Sequence, residues 1–517
     1  MGNAMLDGLK KKFNYTLTEN GGIAHKTTDD KLYDMFAFGA AMRKRSDEDI
    51  ILMWREAYDE NTEYALKCLF YLRDILEGQG ERRFFRVCLN DLAKKHPDVV
   101  RRNLEFVPEF GRWDDLWCLL DTPVATDVIR LIHNQINLDL GDITHPTKGI
   151  SLLGKWLPSE NTSSMDTRAK ANYIRRCLRL SHKEYRVLLT NLRAKINVLE
   201  TLMSANRWDE IEFDKIPSKA GIKYKNAFAR RDIIKQAYKK FMESDNTKVN
   251  AKALYPYEVV AEALKLFRVG SYYRYNVLNV PMDDVSRLAV DKYWDNLTDY
   301  FNDCTLNALC VVDTSGSMVS NEASAPINVA ISLGLYCAER AKGPFKGNYI
   351  SFSSKPQLIE TRGVDFVDKV YRIYKTNLCE NTDLEATFNM LLDTAYSNHL
   401  SQEDLPESII VISDMEIDMA TAQYNYYFSR DNEHGRSQKV ETMMESMHRK
   451  WAKFGYKMPK LVYWNVNARH NIILDGSPNV SYVSGCSPVI FEQIMKGKTG
   501  RELMYDKLNS ERYKNIK

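Results

Sequence analysis

The C-terminal part of the chain takes its fold class from the sequence LCVVDTSGS at positions 309–317. Residues 306–312 form a short run rich in Val and Leu, as expected of a strand that is covered on both faces. The loop that follows places three oxygen-bearing side chains, those of Asp313, Ser315 and Ser317, at alternate positions. The sequence therefore predicts a buried strand whose carboxyl end carries Asp313.

Further short apolar runs follow this strand, and most are separated by segments with helical spacing. The predicted strands are 306–312, 349–353, 408–413, 460–466 and 481–483, and helices are predicted at 327–341 and 384–396. Alternation of strands and helices predicts a mostly parallel central sheet flanked by helices, which is a Rossmann-like α/β fold. Ligands of such sheets bind at the carboxyl ends of the strands, where Asp313 is expected.

The preceding part of the chain has a different pattern. From about residue 30 to 300, apolar residues recur at helical spacing, and turn sequences separate the short segments. Short helices with short connections predict an α-helical, repeat-like domain, in which helix pairs stack as a HEAT-like solenoid or as an irregular bundle. Because 517 residues exceed what one core normally organises, we expect two domains, residues 1–300 and 304–517.

Composition limits the functional class. The chain is 44% hydrophobic and 27% charged, and its sequence contains neither a long apolar run nor a signal-like N-terminus. We therefore expect a cytoplasmic protein that does not bind membranes. None of the nine cysteines occurs in a Cys-x-x-Cys pair, a distribution typical of reduced thiols and not of a zinc site or a disulfide framework.

A divalent-metal site is predicted at the edge of the sheet. Two further loops bring polar residues to the edge where Asp313, Ser315 and Ser317 lie, namely Thr382 before a predicted helix and Asp414 after the strand 408–413. Mg²⁺ prefers octahedral oxygen coordination and retains several waters, so these side chains form a plausible but incomplete cage. Mn²⁺ or Ca²⁺ is the alternative cation.

This ordered set resembles the metal-ion-dependent adhesion site of the von Willebrand factor A family, Asp-x-Ser-x-Ser with a distal Thr and a distal Asp. The resemblance implies that Ser315, Ser317 and Thr382 contact the metal directly. It implies that Asp313 and Asp414 act largely through water. It further implies an open coordination position that accepts an Asp or Glu from a protein partner.

Other interpretations of the same residues stay open. Thr382 with Glu385 has the pattern of a helix capping box. A haloacid-dehalogenase phosphatase would need a second Asp where Ser315 stands, which argues against that class. Asp414 and the next two alternate acidic residues, Glu416 and Asp418, would suit a metal-dependent nuclease, although alternate residues of a strand face opposite ways.

The helical part carries a second resemblance. It is similar in outline to the TROVE module of Ro ribonucleoproteins, and more closely to an uncharacterised family of eukaryotes and viruses that joins such a module to a von Willebrand A domain. The matching stretches are FYLRDI at 70–75, GQGER at 78–82, GRWDDL at 111–116, LGKWLPS at 153–159, WDEI at 208–211, IPSKA at 216–220 and PKLVYWNVNAR at 459–469. The Ro resemblance implies binding of RNA on a ring of helical repeats.

The positive charge is concentrated where RNA would bind. Residues 148–248 contain 22 Lys and Arg against 11 Asp and Glu, although the whole chain has a net charge of only +3. Cations neutralise phosphate, and aromatic rings stack on unpaired bases. The predicted RNA contacts are Arg175, Arg176, Arg179, Lys183, Lys223, Lys225, Arg230, Arg231 and Lys235. The alternative is that the cations are solvated helix faces and that Tyr224 and Phe228 point into the core.

Together these patterns predict a scaffold protein that binds RNA, with a Mg²⁺-dependent docking site for an acidic partner, and not an enzyme. Two alternatives stay open: a protein assembly module without nucleic acid, and a metal-dependent nuclease.

Overall fold

The computed structural model describes most of the chain. The described residues are 5, 13–17, 23–145, 148–196, 199–267, 284–301, 306–319, 325–352, 356–375, 383–416, 443–469, 472–474 and 480–517. They divide into two compact units. The sheet unit comprises Met1–Thr62 and Leu254–Ser510, and the helical unit comprises Glu63–Ala253 and Glu511–Lys517.

The elements are numbered in chain order. The strands are β1 (Tyr15–Leu17), β2 (Ile23–His25), β3 (Ala308–Asp313), β4 (Asn348–Phe352), β5 (Gln357–Glu360), β6 (Ser408–Ser413), β7 (Lys460–Asn465) and β8 (Val480–Ser484). The α-helices are α1 (Lys31–Phe38), α2 (Asp47–Glu60), α3 (Thr62–Arg73), α4 (Arg82–Lys95), α5 (Pro97–Asn103), α6 (Phe106–Phe110), α7 (Ala125–Asp142), α8 (Leu153–Trp156), α9 (Met165–Cys177), α10 (His182–Ile196), α11 (Leu199–Ser204), α12 (Ser218–Arg230), α13 (Asp232–Glu243), α14 (Pro256–Phe267), α15 (Asp284–Asp295), α16 (Pro326–Arg340), α17 (Phe366–Lys375), α18 (Leu384–Ser397), α19 (Met443–Lys453), α20 (Phe491–Ile494) and α21 (Gly500–Leu508).

The predicted central sheet is confirmed. Its strand order is β5-β4-β3-β6-β7-β8, and every neighbouring pair is parallel except β4 with β5. All residues of β3 and β6 are buried, which explains their unbroken apolar sequences. Helix α16 packs so closely on β3 that it needs a glycine at position 334. A Cβ atom on Gly334 would lie 2.4 Å from Cγ2 of Val312.

The strand order creates a crevice at the carboxyl edge. Strand β3 lies between β4 and β6. The chain adds β4 and β5 on one side of β3 and then adds β6, β7 and β8 on the other side. In parallel sheets of this kind, ligands bind outside the carboxyl ends of the two strands at which the direction reverses. The carboxyl ends of β3 and β6 carry Asp313 and Ser413, and Asp414 follows.

The N-terminal segment covers the open edge of the sheet. The hydroxyl of Tyr33 accepts a hydrogen bond from the backbone N–H of Tyr482 in β8, at 2.7 Å, and donates one to the carbonyl of the same residue, at 3.2 Å. The hydroxyl thereby satisfies the outward-facing N–H and C=O groups of one residue of the edge strand, and helix α1 packs against the same strand. Gly500 is required beside it, since a Cβ atom there would lie 1.7 Å from the Tyr33 hydroxyl.

Helices from the centre of the chain also belong to the sheet unit. Trp294 of α15 stacks on Phe366 of α17 with ring centroids 4.1 Å apart. Helix α14 packs on α15, α16 and α17. The contact-based limits therefore differ from the domain limits predicted from the change of sequence pattern, 1–300 and 304–517. The physical reason is that α1, α2, α14 and α15 pack around the sheet although their sequences have helical spacing.

The helical unit is built from short helices, as the sequence predicts. The last seven residues of the chain, Glu511–Lys517, also belong to the helical unit. Arg512 donates two hydrogen bonds to Asp74, at 2.5 and 2.8 Å. Tyr513 is fully buried and stacks on Phe110, with ring centroids 5.5 Å apart. The segment Glu511–Lys517 thus belongs to the helical unit, and Tyr513 lies in its core.

None of the helices in the described ranges is both long and apolar enough to cross a bilayer. The cysteines whose placement is described form no disulfide with one another, and most of them are buried.

Candidate functional site

Asp313 is the central residue of the candidate metal centre. It is the last residue of β3 and is fully buried. Its Oδ1 accepts a hydrogen bond from the backbone N–H of Ser315 at 2.9 Å, and its Oδ2 accepts one from the hydroxyl of Ser413 at 2.5 Å. Burial, together with the nearby charge of Asp414, raises the pKa of Asp313 to about 7, and the hydrogen bonds from Ser413 and Ser315 offset this only in part.

Asp414 is placed beside Asp313 by the end of β6. It is 1% exposed, and its Oδ1 accepts a hydrogen bond from the N–H of Glu416 at 3.3 Å. The chain turns sharply at this point because Met415 adopts a positive φ of 66°. The N–H of Met415 donates to the Ser413 hydroxyl at 2.9 Å, which fixes the turn to the end of the strand.

Two hydroxyls complete the described part of the site. The Oγ atoms of Ser315 and Ser317 lie 3.0 Å apart. Ser315 is buried and Ser317 is half-buried, within the short 3-10 turn Gly316–Met318. The hydroxyl of Thr314 is buried in the same loop and has no hydrogen-bond partner among the described residues.

Thr382 lies outside the described residues, so its position relative to the other four is not established. The adjoining helix is nevertheless informative. Helix α18 begins at Leu384, and the side chain of Asp383 caps it by accepting a hydrogen bond from the N–H of Ala386 at 2.8 Å. The role of helix cap that the sequence also allowed for Thr382 is therefore filled by Asp383.

Sequence reasoning missed one residue of the site, Arg469. Its Nη2 donates a hydrogen bond to the carbonyl of Ser317 at 2.9 Å and lies 3.9 Å from Oδ2 of Asp414. Its side chain is 36% exposed. The available signal was its place just after β7, the neighbour of β6, at the end of the sequence WNVNAR.

The chemistry of these donors fits a hard divalent cation. Carboxylate and hydroxyl oxygens are the ligands of Mg²⁺, Mn²⁺ and Ca²⁺, whereas zinc prefers nitrogen and sulfur. Within the described ranges there is no group of three or more His, Cys, Asp or Glu side chains suited to a metal. A site here would depend on the serine hydroxyls. The nuclease alternative would use the acidic residues Asp414, Glu416 and Asp418. Asp414 and Glu416 are both 1% exposed, and Asp418 lies outside the described residues.

The predicted RNA contacts on α9 and α10 separate into exposed and internal residues. Arg176, Arg179 and Lys183 are exposed around the turn between the two helices, and no carboxylate among the described residues pairs with them. Arg175 instead lies 2.9 Å from Glu160 and donates to the Leu180 carbonyl at 2.8 Å. Arg175 therefore holds the turn together.

The contacts predicted on α12 and α13 separate in the same way. Lys223, Arg230 and Arg231 are exposed and Lys235 is half-buried, whereas Lys225 is 1% exposed and is not on the surface. The guanidinium of Arg231 lies 4.8 Å from the centre of the Trp208 ring.

The aromatic residues of this segment are mostly internal. Phe228 and Tyr238 are buried and pack together with Phe213 and Trp208. Tyr224 is half-buried, and its hydroxyl donates to Glu200 at 3.1 Å. Base stacking on Phe228 is thus not available, and the alternative that this ring points into the core is the correct one.

Comparison with known proteins gives a family. The pattern described as domain of unknown function DUF2828 matches residues 18–128 and 151–305, about half of the chain. The chain belongs to the DUF2828 family. A second pattern, domain of unknown function DUF7788, matches residues 307–515. The chain is also 28% identical over 526 aligned residues to the uncharacterized protein L728 of Acanthamoeba polyphaga mimivirus, covering 94% of this chain and 85% of the viral protein.

A solved structure is similar to this DUF2828 chain at a low level. The crystal structure of the Deinococcus radiodurans RO (RSR) protein aligns with a TM-score of 0.47 and 14% identity, over 91% of this chain and 100% of that one. Similarity at this level carries no functional inference.

The two candidate sites of this DUF2828 chain lie in different family matches. Asp313, Ser315, Ser317, Asp414 and Arg469 all lie in the DUF7788 match. The exposed cations of α9 to α13 lie in the second DUF2828 segment, 151–305. Each site is therefore part of a segment that its relatives share.

Proposed function

We propose that this DUF2828 protein is a binding protein whose sheet unit captures an acidic group of a partner through a divalent cation, in the manner of a von Willebrand factor A domain. The supporting observation is the pair of neighbouring carboxylates, Asp313 and Asp414, which are 0% and 1% exposed at the point where the strand order reverses. Mg²⁺ is the expected cation, with Mn²⁺ or Ca²⁺ as substitutes.

Two buried carboxylates side by side are costly unless positive charge compensates both of them. The guanidinium of Arg469 lies 3.9 Å from Oδ2 of Asp414, so Asp313 is the carboxylate that most needs further positive charge. A divalent cation would supply that charge, and the hydroxyls of Ser315 and Ser317 offer neutral oxygens beside it. By resemblance, Ser315, Ser317 and Thr382 would hold the cation directly, and Asp313 and Asp414 through water. The bound cation would offer a coordination position to a carboxylate of the partner.

Binding of Mn²⁺ to the full chain tests this proposal, with free Mn²⁺ measured by electron paramagnetic resonance. The wild-type chain should bind a single Mn²⁺, which Mg²⁺ displaces, and both Asp313→Asn and Ser315→Ala should weaken this binding by at least about tenfold. Asp393→Asn is the matched control, because Asp393 is an exposed carboxylate on α18. Equal Mn²⁺ binding by all four proteins would contradict the proposal.

A second function, RNA binding by the helical unit, is supported by a separate observation. Arg176, Arg179 and Lys183 are exposed together at one turn without a carboxylate partner among the described residues. Unneutralised cations on one surface are the electrostatic requirement for binding phosphate backbones. The sequence resemblance to the TROVE module implies the same ligand class.

The RNA proposal is tested by the salt dependence of binding to a single-stranded RNA. Replacing Arg176, Arg179 and Lys183 by Gln should weaken binding and reduce the slope of log affinity against log salt by roughly 0.7 for each lost phosphate contact. Arg207→Gln is the control, because this exposed guanidinium is already paired with Glu210. An unchanged slope in the triple variant would remove this surface from the RNA site.

These two experiments, together with an assay of RNA cleavage in Mg²⁺, separate the remaining alternatives. Mn²⁺ binding without any RNA binding would favour a protein assembly module. Cleavage of RNA in Mg²⁺ that is lost in Asp414→Ala would favour a nuclease.

A further inference from the structure

The backbone that carries Arg469 is fixed within the sheet unit. The N–H of Val466 donates to the Ser413 carbonyl at 3.0 Å, and the N–H of Asn467 donates to Oδ1 of Asn465 at 2.9 Å. The next N–H, that of Ala468, donates to the carbonyl of Ala41 at 3.1 Å. Three successive bonds therefore position the residue that follows, beside the carboxyl end of β6.

The side chain of Arg469 is in contact with both halves of the candidate metal centre. Its Nη2 donates to the Ser317 carbonyl, so it is tied to the loop that carries the serine hydroxyls. At 3.9 Å from Oδ2 of Asp414, the same nitrogen is within charge interaction but beyond hydrogen-bond distance. A guanidinium has five N–H groups in one plane, and this side chain is 36% exposed.

We propose that Arg469 is the second anchor for the acidic ligand of the sheet unit, and that this ligand is an acidic peptide segment. The inference rests on the proposed function. A carboxylate that coordinates a cation through one oxygen keeps a second oxygen that needs a donor. Arg469 is a half-exposed donor hydrogen-bonded to the loop of Ser315 and Ser317, and planar guanidinium is suited to carboxylate geometry.

A peptide fits this position better than a polynucleotide. Binding of a nucleic-acid backbone requires a run of cations along a groove. Among the residues that the structure describes at this site, one guanidinium lies beside the buried carboxylates Asp313 and Asp414, whereas the exposed cation runs of α9 to α13 belong to the helical unit. A single acidic side chain, held by a cation and one arginine, matches the charges present.

The proposal predicts effects of opposite sign in one variant. Removing the positive charge beside Asp414 in Arg469→Gln should increase Mn²⁺ affinity by about threefold, because the arginine repels the cation. The same variant should weaken binding of an oligoglutamate peptide by about tenfold or more, since a charge-assisted hydrogen bond to the peptide is lost. A purely structural role in holding the Ser317 loop would instead reduce Mn²⁺ affinity.

The experiment measures both affinities on the full chain. Mn²⁺ is followed by electron paramagnetic resonance, and fluorescein-labelled oligoglutamate by fluorescence anisotropy in saturating Mn²⁺ and in EDTA. Arg469→Lys should recover part of the peptide affinity, because it keeps the charge without the planar fork. Arg372→Gln is the control, as Arg372 is an exposed arginine of the sheet unit paired with Asp368.

The outcomes distinguish this inference from the function on which it rests. A wild-type chain that binds no Mn²⁺ overturns the proposed function. Normal Mn²⁺ binding with oligoglutamate affinity unchanged in Arg469→Gln, or with reduced Mn²⁺ affinity in that variant, overturns the role of Arg469 alone. Displacement of the peptide by oligouridylate in an Arg469-dependent manner would overturn the assignment to a peptide ligand.

Discussion

Asp115 of the helical unit and Asp313 of the sheet unit are both fully buried, but their neighbours have opposite charges. Asp115 forms ion pairs with two guanidinium groups: Nη2 of Arg73 lies 2.7 Å from its Oδ2, and Nε of Arg86 lies 2.6 Å from its Oδ1. Asp313 has Asp414 as its charged neighbour and receives its hydrogen bonds from neutral groups of Ser315 and Ser413. Asp115 is therefore neutralised within the fold, whereas the pair Asp313 and Asp414, which has the guanidinium of Arg469 3.9 Å from Asp414, is where the proposed divalent cation would add positive charge.

The largest effect expected from this difference is the loss of stability on removal of Asp115. Asp115→Ala should lower the free energy of unfolding of the helical unit by about 3–5 kcal/mol, because it leaves Arg73 buried without its partner. Calorimetric unfolding of the full chain measures this. The loss of stability should be the same in Mg²⁺ and in EDTA, because Asp115 is neutralised by arginines of the chain. A loss that depended on Mg²⁺ would show that Asp115, like Asp313 in the proposal, interacts with a bound cation.

The pH dependence of the metal-free protein should be the next largest effect. Because burial raises the pKa of Asp313 from 3.8 to about 7, the folded state keeps a proton that the unfolded state releases. Stability should therefore fall as pH rises from about 4 to 7, by on the order of 2–4 kcal/mol, and then level off.

The contribution of Asp313 is obtained by subtracting the profile of Asp313→Asn, which should lack this part of the fall. Saturating Mg²⁺ should also remove it, because the bound cation favours the ionised carboxylate. Identical pH profiles for the two chains in EDTA would show that Asp313 is not a destabilised carboxylate.

A smaller effect is expected from adding the cation itself. At a Mg²⁺ concentration about a hundredfold above its Kd, the free energy of unfolding of the sheet unit should rise by about 2.7 kcal/mol. Ser315→Ala should reduce this increase and Asp393→Asn should leave it intact. An equal increase in all three chains would mean that the cation binds elsewhere.

The smallest stability effect is expected at the exposed cations. Arg176→Gln and Arg179→Gln should each change the free energy of unfolding by less than about 0.5 kcal/mol, since neither side chain is buried or ion-paired in the described structure. Thermal unfolding measures this change. A larger loss would indicate that these arginines have a structural role like that of Arg175.

The parts of the fold that the sequence predicted are those with a local signal. Strands such as β3 and β6 are buried on both faces, so their sequences are continuous apolar runs. The polar loops that follow these runs can therefore be recognised from the sequence. The antiparallel strand β5 was not predicted, because it is a short strand at the edge of the sheet whose residues are mostly exposed.

What could not be predicted depends on contacts between distant residues. The two hydrogen bonds between Tyr33 and Tyr482 join positions 449 residues apart, and no local sequence pattern indicates them. Lys225 is buried although its sequence resembles a basic surface, and Arg469 joins the site only because β7 lies beside β6. The position of Thr382 stays a prediction, because it lies outside the described residues.

Binding of a divalent cation by the sheet unit is tested most directly with a crystal of the full chain soaked in Mn²⁺, with diffraction collected at the manganese absorption edge. The proposed cation site requires an anomalous peak within bonding distance of the hydroxyls of Ser315 and Ser317, beside Asp313 and Asp414. Absence of a peak there, with the Arg469 guanidinium or a water in its place, would contradict it.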